Sequence, residues 1–162
     1  KIGKPDVLVG QFEIPMNVNE QVFSYAYKNG VETVLNPAPA NKPTDILLQN
    51  TSWFIPNEIE FEEIYGDIFN ENNLLLFAKN VDTNVVVTLG EKGCAYIENN
   101  SVKIIKADSV KAIDTTGAGD AFVGAFSFAL ASKLDIEECL KLALKKATDS
   151  VTKKGTQSSY KN

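Results

Sequence analysis

The strongest constraint on this chain is the alternation of short β-branched or apolar runs with amphipathic stretches. Strands that alternate with helices bury their apolar faces as a mostly parallel sheet covered by helices, so the fold class read from the sequence is α/β. The clearest buried strand is Asn84 to Gly90, where three consecutive valines are closed by a glycine. Further runs are Asp6 to Phe12, Val31 to Leu35 and Ser52 to Pro56, the second leading into the double-proline turn "NPAPA". "GCAYIE" and "SVKIIK" alternate about Asn99-Asn100, which predicts a hairpin. Between these runs lie the helical patterns. In "NVNEQVFSYAYKNG", Asn17 and Glu20 have capping-box spacing, Gly30 is a C-cap, and Val22, Phe23, Ala26 and Tyr27 share one face. Asn57 caps a helix that ends at Gly66 and offers Ile59, Phe61 and Ile64 for burial. "NLLLFAK" is a further helix, Gly117 to Lys133 is a small-residue apolar one, and Asp135 caps Ile136 to Lys153.

Composition narrows the chemistry. At 162 residues the chain fits one domain, and its net charge of −5 argues against a nucleic-acid surface, which needs clustered cations. No apolar run approaches the ~18 residues of a membrane span. There is no histidine, which removes imidazole bases and His-ligated zinc, and no arginine, which removes bidentate phosphate clamps. An anion site here must therefore use lysine, backbone N–H groups or helix N-termini. Cys94 and Cys139 have no metal-ligand spacing and read as buried thiols of a reducing compartment, the cytoplasm. The chain starts at Lys1 with no signal-peptide pattern, and the expectation is a fragment of a longer protein.

The segment that carries chemistry is "AIDTTGAGDAFVGAF", Ala112 to Phe126. Gly117, Ala118 and Gly119 stand at a loop-to-helix junction, where the first N–H groups of a helix lack intrahelical partners and the macrodipole is positive. Small side chains let an anion reach those groups. Asp120 follows in the first turn, where a carboxylate can take a proton while the N–H groups stabilise charge on a transferring phosphate. The same spacing also fits an ordinary acidic residue in a first turn beside turn glycines. It is neither a Walker A loop nor a dinucleotide fingerprint, since Phe122 stands where the third glycine would be.

"DTTGAGDAFVGAF" resembles the C-terminal signature of the ribokinase (PfkB) family of carbohydrate kinases. "VGQFEIP", "LNPAPA", "IPNEIE", "VVVTLGEKG" and "VTKKGTQSS" then resemble other segments of that family, in family order and over almost the whole chain. The resemblance implies the C-terminal, nucleotide-binding and catalytic part of a ribokinase-like fold over residues 1–162. The implied reaction is ATP-dependent phosphoryl transfer to the 5-hydroxyl of D-ribose. Another sugar or nucleoside kinase of the family, or a non-catalytic nucleotide-binding module, is the alternative.

By resemblance, Asp120 is the general base and a sugar contact, and the backbone of Gly117, Ala118 and Gly119 is the anion hole. "NEIE" is similar to the family's N-x-x-E motif, giving Asn57 to the nucleotide and Glu60 to Mg²⁺. Without the resemblance, the same pair reads as an N-cap with a solvated glutamate. "TLGEKG" looks like the nucleotide-binding turn, with Thr88 and Gly90 toward phosphates, Gly93 allowing the turn and Lys92 either steering ATP or merely solvated. Glu13 matches an acidic sugar contact, and equally reads as an exposed loop carboxylate. A monovalent cation site, with K⁺ as its natural occupant, would draw on Asp114, Thr116, Ser150, Lys153, Gly155 and Ser159. Around Leu144, "LKKA" departs from the family's small-residue adenine wall. The partners implied are ATP and a small sugar, with no nucleic acid and no membrane. The part of the family's fold not matched supplies sugar contacts, the first strands and a dimer-forming lid. This chain alone is therefore expected to be inactive, and the full-length protein a homodimer.

Overall fold

Val7–Gly10 (β1), Glu32–Leu35 (β2), Trp53–Phe54 (β3), Asn84–Thr88 (β4), Cys94–Glu98 (β5) and Ser101–Ile105 (β6) form one sheet, in a computed structural model that describes residues 3–156. Their spatial order is also their order along the chain. β1 to β4 are parallel, with Val7 opposite Glu32, Val34 opposite Trp53 and Phe54 opposite Val85. The helices are Met16–Lys28 (α1), Asp45–Gln49 (α2), Glu58–Tyr65 (α3), Glu71–Val81 (α4), Ala118–Ala131 (α5) and Ile136–Val151 (α6). The expected α/β class is what forms. The strands are shorter than the apolar runs because prolines and turn residues end pairing early: "SWFIP" contributes only Trp53 and Phe54.

Two compact units divide the chain, one of Lys1–Thr88 and Ala95–Lys103, the other of Leu89–Cys94 and Ile104–Asn162. In the first, Val34, Leu35, Phe54 and Val86 are fully buried in the sheet. The Phe61 ring lies 5.4 Å edge-on from Phe77, and Phe54 lies 5.7 Å from the same ring. Such tilted pairs add to the burial of three large side chains and hold α3 and α4 on β4. Gly10 lets β1 approach α1 closely, since a Cβ there would sit 2.5 Å from the Phe23 ring. In the second unit α5 packs on α6, burying Phe122, Phe126 and Ala129 of one and Cys139, Leu140 and Ala143 of the other.

Several boundaries agree with the sequence. Gly66 ends α3 in the left-handed region at φ 87°, and Asp135 and Glu138 form the capping box of α6. Asn99 and Asn100 both take positive φ, as a tight hairpin with right-handed twist demands. Other expectations are corrected. Asn17 does not cap α1, which begins at Met16 after Pro15 with no side-chain cap. Glu20 instead accepts the Thr44 hydroxyl at 2.6 Å, a tertiary contact that displaces the local box. On α1 only Phe23 and Ala26 of the expected face are buried, while Val22 and Tyr27 are exposed. Ile59 is exposed as well, whereas Phe61 and Ile64 are buried as expected and Glu60 is buried with them.

Candidate functional site

In the first unit, the chemistry-bearing residues gather where parallel strands end, which is where open α/β sheets hold ligands. Glu13 is exposed just beyond the end of β1, and lines a cleft of about 300 Å³ with Gly10, Gln11 and Asn19. Beyond β3, Asn57 starts α3. Its side-chain oxygen accepts the Glu60 N–H at 2.8 Å, and its own N–H donates to Glu60 Oε2 at 2.8 Å. This reciprocal box satisfies two donors that a helix start leaves orphaned. It also draws Glu60 in, so the side chain is buried rather than solvated. Burial pushes the Glu60 carboxyl above its ordinary range, against the Asn57 N–H that lowers it, and Glu63 adds to the rise. Thr88 closes β4 and is bridged to Asn57, with its N–H donating to the Pro56 carbonyl at 3.0 Å. Asn57, Glu60 and Thr88 are thus brought together.

Because Glu60 holds its proton more firmly in the fold than in the unfolded chain, its ionisation opposes stability. That opposition is complete above the folded-state pKa, fades as pH falls toward the unfolded one and is gone below it. Gln at the same place can still accept the Asn57 N–H. Glu60→Gln is therefore expected to be as stable as the parent or more so at neutral pH, with the difference closing in acid. Urea midpoints measured across pH check this, and a loss of stability at neutral pH would contradict it.

In the second unit, Gly90 and Lys92 bound a single 3₁₀ turn, with Gly90 at φ 57°. Gly93 follows at φ 108°, and a Cβ on it would lie within 2 Å of the Ile105 carbonyl oxygen, at 1.9 Å. Only glycine fits there. Gly117 is the left-handed N-cap of α5 at φ 77°, with no side-chain cap. The Gly117 carbonyl accepts the Ala121 N–H at 2.9 Å, and the Ala118 N–H meets Thr115 O at 3.3 Å. A Cβ built on Gly119 would meet nothing within 4 Å, so the helix start is open to an approaching group. Asp120 is in the first turn of α5 and exposed.

Asp114 lies just upstream. Its Oδ1 accepts the Thr116 N–H and its Oδ2 the Gly155 N–H, both at 3.0 Å. The Val151 carbonyl takes the N–H groups of Ile113 and Asp114 at 2.7 and 3.2 Å. Asp114, Thr116 and Gly155 are therefore joined across a long stretch of sequence. The Thr116 and Gly155 N–H groups, the Thr116 hydroxyl and Lys154 hold the Asp114 carboxyl below its ordinary range. Ser150 is buried, and its hydroxyl donates to Ala147 O at 2.7 Å. Lys153 is exposed, and Leu144 is buried on α6 beside Ala143. Ser159 lies outside the described residues.

A family model described as pfkB family carbohydrate kinase matches residues 8–162. The chain belongs to the pfkB family of carbohydrate kinases. A ribokinase of Haemophilus influenzae is 40% identical over 98% of this chain and 54% of its own length. A deoxyribokinase of Salmonella typhi is 36% identical over 97% and 53%. Among solved structures, Arabidopsis thaliana ribokinase complexed with ribose and ATP superposes with a TM-score of 0.88 at 28% identity, covering 95% of this chain and 52% of that one. The ribokinase of Thermotoga maritima gives 0.85 at 32% identity, over 95% and 52%. The chain thus spans about half the length of the curated relatives it matches. Among the described residues, no helix is long and apolar enough to cross a membrane.

The sequence did not single out Gln11, Asn19 and Asn36: the Gln11 side chain donates to the Asn36 side chain beyond the ends of β1 and β2, and the Asn19 side chain donates to the Gln11 main-chain carbonyl. The only local signal is an asparagine fixed ahead of a proline turn, and nothing in its spacing names the partners.

Proposed function

We propose that the complete protein transfers the γ-phosphoryl group of ATP to the 5-hydroxyl of D-ribose. The observation that carries this is the start of α5, where a left-handed Gly117 and an open Gly119 precede Asp120 in the first turn. The Asp120 carboxylate takes the proton of the attacking hydroxyl, while N–H groups of the helix start stabilise charge on the phosphoryl oxygens. No covalent intermediate is required, because positioning and electrostatics supply most of the catalysis in phosphoryl transfer. The first unit contributes Glu13 to the sugar, and Asn57 and Thr88 to the nucleotide.

The donors suit hard cations. Glu60 offers one carboxylate and Asn57 an amide oxygen at the start of α3. That pattern fits Mg²⁺, which is usually carried by one or two carboxylates together with substrate phosphates. When bound, Mg²⁺ would neutralise phosphate charge, and Glu60 is the residue that would hold it. The oxygens of Asp114, Thr116 and the 150–155 segment suit K⁺, which would order the loop leading to Gly117.

A second sugar has its own support, since one relative at 36% identity is a deoxyribokinase. ADP release by the complete protein, with Mg-ATP and a panel of ribose, deoxyribose and fructose, with and without K⁺, tests both. Ribose-dependent release that rises with K⁺ is the expected result. Preference for deoxyribose would move the substrate, and no release with any sugar from folded, ATP-binding protein would overturn the kinase reading.

A further inference from the structure

We propose that Asn36 is a positioning residue which, through a partly buried chain of amides, couples the Glu13 loop to the Asn57–Glu60 turn. The proposal rests on the phosphoryl-transfer reading for the roles of those two segments. Its geometry lies wholly within the first unit. The Asn19 side-chain amide donates to the Gln11 carbonyl at 2.8 Å, and Gln11 Nε2 donates to Asn36 Oδ1 at 2.8 Å. Asn36 Nδ2 then donates to the Ile55 carbonyl at 2.9 Å. Main-chain bonds run alongside: Asn36 N–H to Gly10 O at 3.0 Å, and Ile55 N–H to Leu35 O at 2.8 Å. One asparagine thus ties together the ends of β1, β2 and β3.

The polarity of the chain follows from its last link. A backbone carbonyl can only accept, so Asn36 must present its nitrogen to Ile55 and its oxygen to Gln11. Gln11 in turn must donate, which fixes its own amide. Asn19 is 2% exposed and Asn36 8%, so water is a poor substitute for a lost partner, and a broken link leaves a buried polar group unsatisfied. Both Asn36 and Ile55 precede prolines, Pro37 and Pro56, which hold the preceding backbone extended and take slack out of the connection.

The placement of the chain's ends distinguishes it from simple sheet glue. Gln11 stands two residues before Glu13, and Ile55 two residues before Asn57. A displacement at one end is carried by uncharged, fully oriented amides to the other. Occupation of the sugar side and of the nucleotide side should therefore sense each other through Asn36.

Two severing variants of the complete protein test this. Gln11→Met cuts the chain on the sugar side only, and Asn36→Leu cuts both sides. Gln11→Met is expected to raise the sugar KM roughly tenfold with a smaller rise in the ATP KM, and Asn36→Leu to raise both roughly tenfold. Both variants interrupt the path and should also abolish the dependence of sugar KM on ATP concentration. Should kcat and both KM values move in one proportion in each variant, or the ATP KM stay unchanged in folded Asn36→Leu, the proposal fails. Amide hydrogen exchange gives a readout that needs no turnover and no Asn36 variant. In Gln11→Met, the Ile55 N–H must exchange faster together with the Phe12 N–H, and faster exchange at Phe12 alone overturns the coupling. Absence of turnover in the parent protein would defeat the kinase reading, while the exchange result would still decide the coupling.

Discussion

In the complete protein, on the proposed phosphoryl-transfer reading, Asp120→Asn is expected to lower kcat by about 10²–10⁴-fold, the range over which a positioned general base acts. Asparagine has nearly the same shape and keeps a side-chain oxygen near the start of α5, but it cannot take up the proton of an attacking hydroxyl at neutral pH. ATP affinity should change little, because Asp120 is not among the expected nucleotide contacts. The alternative role for Asp120, a negative charge complementing the helix dipole, makes a different forecast. Losing it would cost about 0.3–1 kcal/mol of stability and leave kcat alone. Steady-state ADP release beside a urea unfolding curve separates the two roles. A variant that is less stable but equally fast would remove Asp120 from the chemistry.

The second large effect is structural. Gly93→Ala places a methyl group 1.9 Å from the Ile105 carbonyl oxygen, in a backbone conformation at φ 108° that side chains rarely adopt. The obstacle is backbone rather than the far end of a flexible side chain, so no rotamer change relieves it. Strain of about 1–3 kcal/mol from the dihedral adds to about 1–3 kcal/mol from overpacking. The thermal midpoint should fall on the order of 10 °C. Gly119→Ala is the matched control, since its added methyl meets nothing within 4 Å. Equal stability of the two variants by thermal unfolding would refute the account of Gly93.

What could be read in the sequence was local and chemically marked. Asn57 and Gly66 announced the two ends of α3, Asp135 announced α6, and Asn99-Asn100 announced the hairpin, because each supplies a backbone need within three or four residues. The same logic misplaced the start of α1. Asn17 lies inside α1, which starts after Pro15, so its side chain is not at the cap, and Glu20 accepts the Thr44 hydroxyl, a distant partner that a local pattern does not record. Ile59 and Glu60 make the point on one helix. Polarity alone would bury the isoleucine and expose the glutamate. The reciprocal bonds with Asn57 reverse that order, since they satisfy the carboxylate on the protein side. For the candidate site, the junction at Gly117 to Asp120 was visible as a motif. The grouping of Asp114 with Gly155 came from the resemblance alone, and the bond from Gln11 to Asn36 was not visible at all, because it connects residues brought together only by the paired strands.

The coincidence of spatial and chain order in the sheet bears on how the protein emerges from the ribosome. Each strand from β2 to β6 pairs with the strand made just before it, so the sheet can be laid down progressively with short loop closures. The loop that leads into α5 follows a different schedule. Ile113 and Asp114 find the Val151 carbonyl, and Asp114 finds the Gly155 N–H, only after α6 has been synthesised. A nascent chain arrested before residue 150 would hold all six strands and the whole of α5, yet lack the bonds that fix the approach to Gly117. Translation would thus lay down β1 to β6 well before the helix start that is proposed to meet phosphate, whose approach waits for Val151 and Gly155.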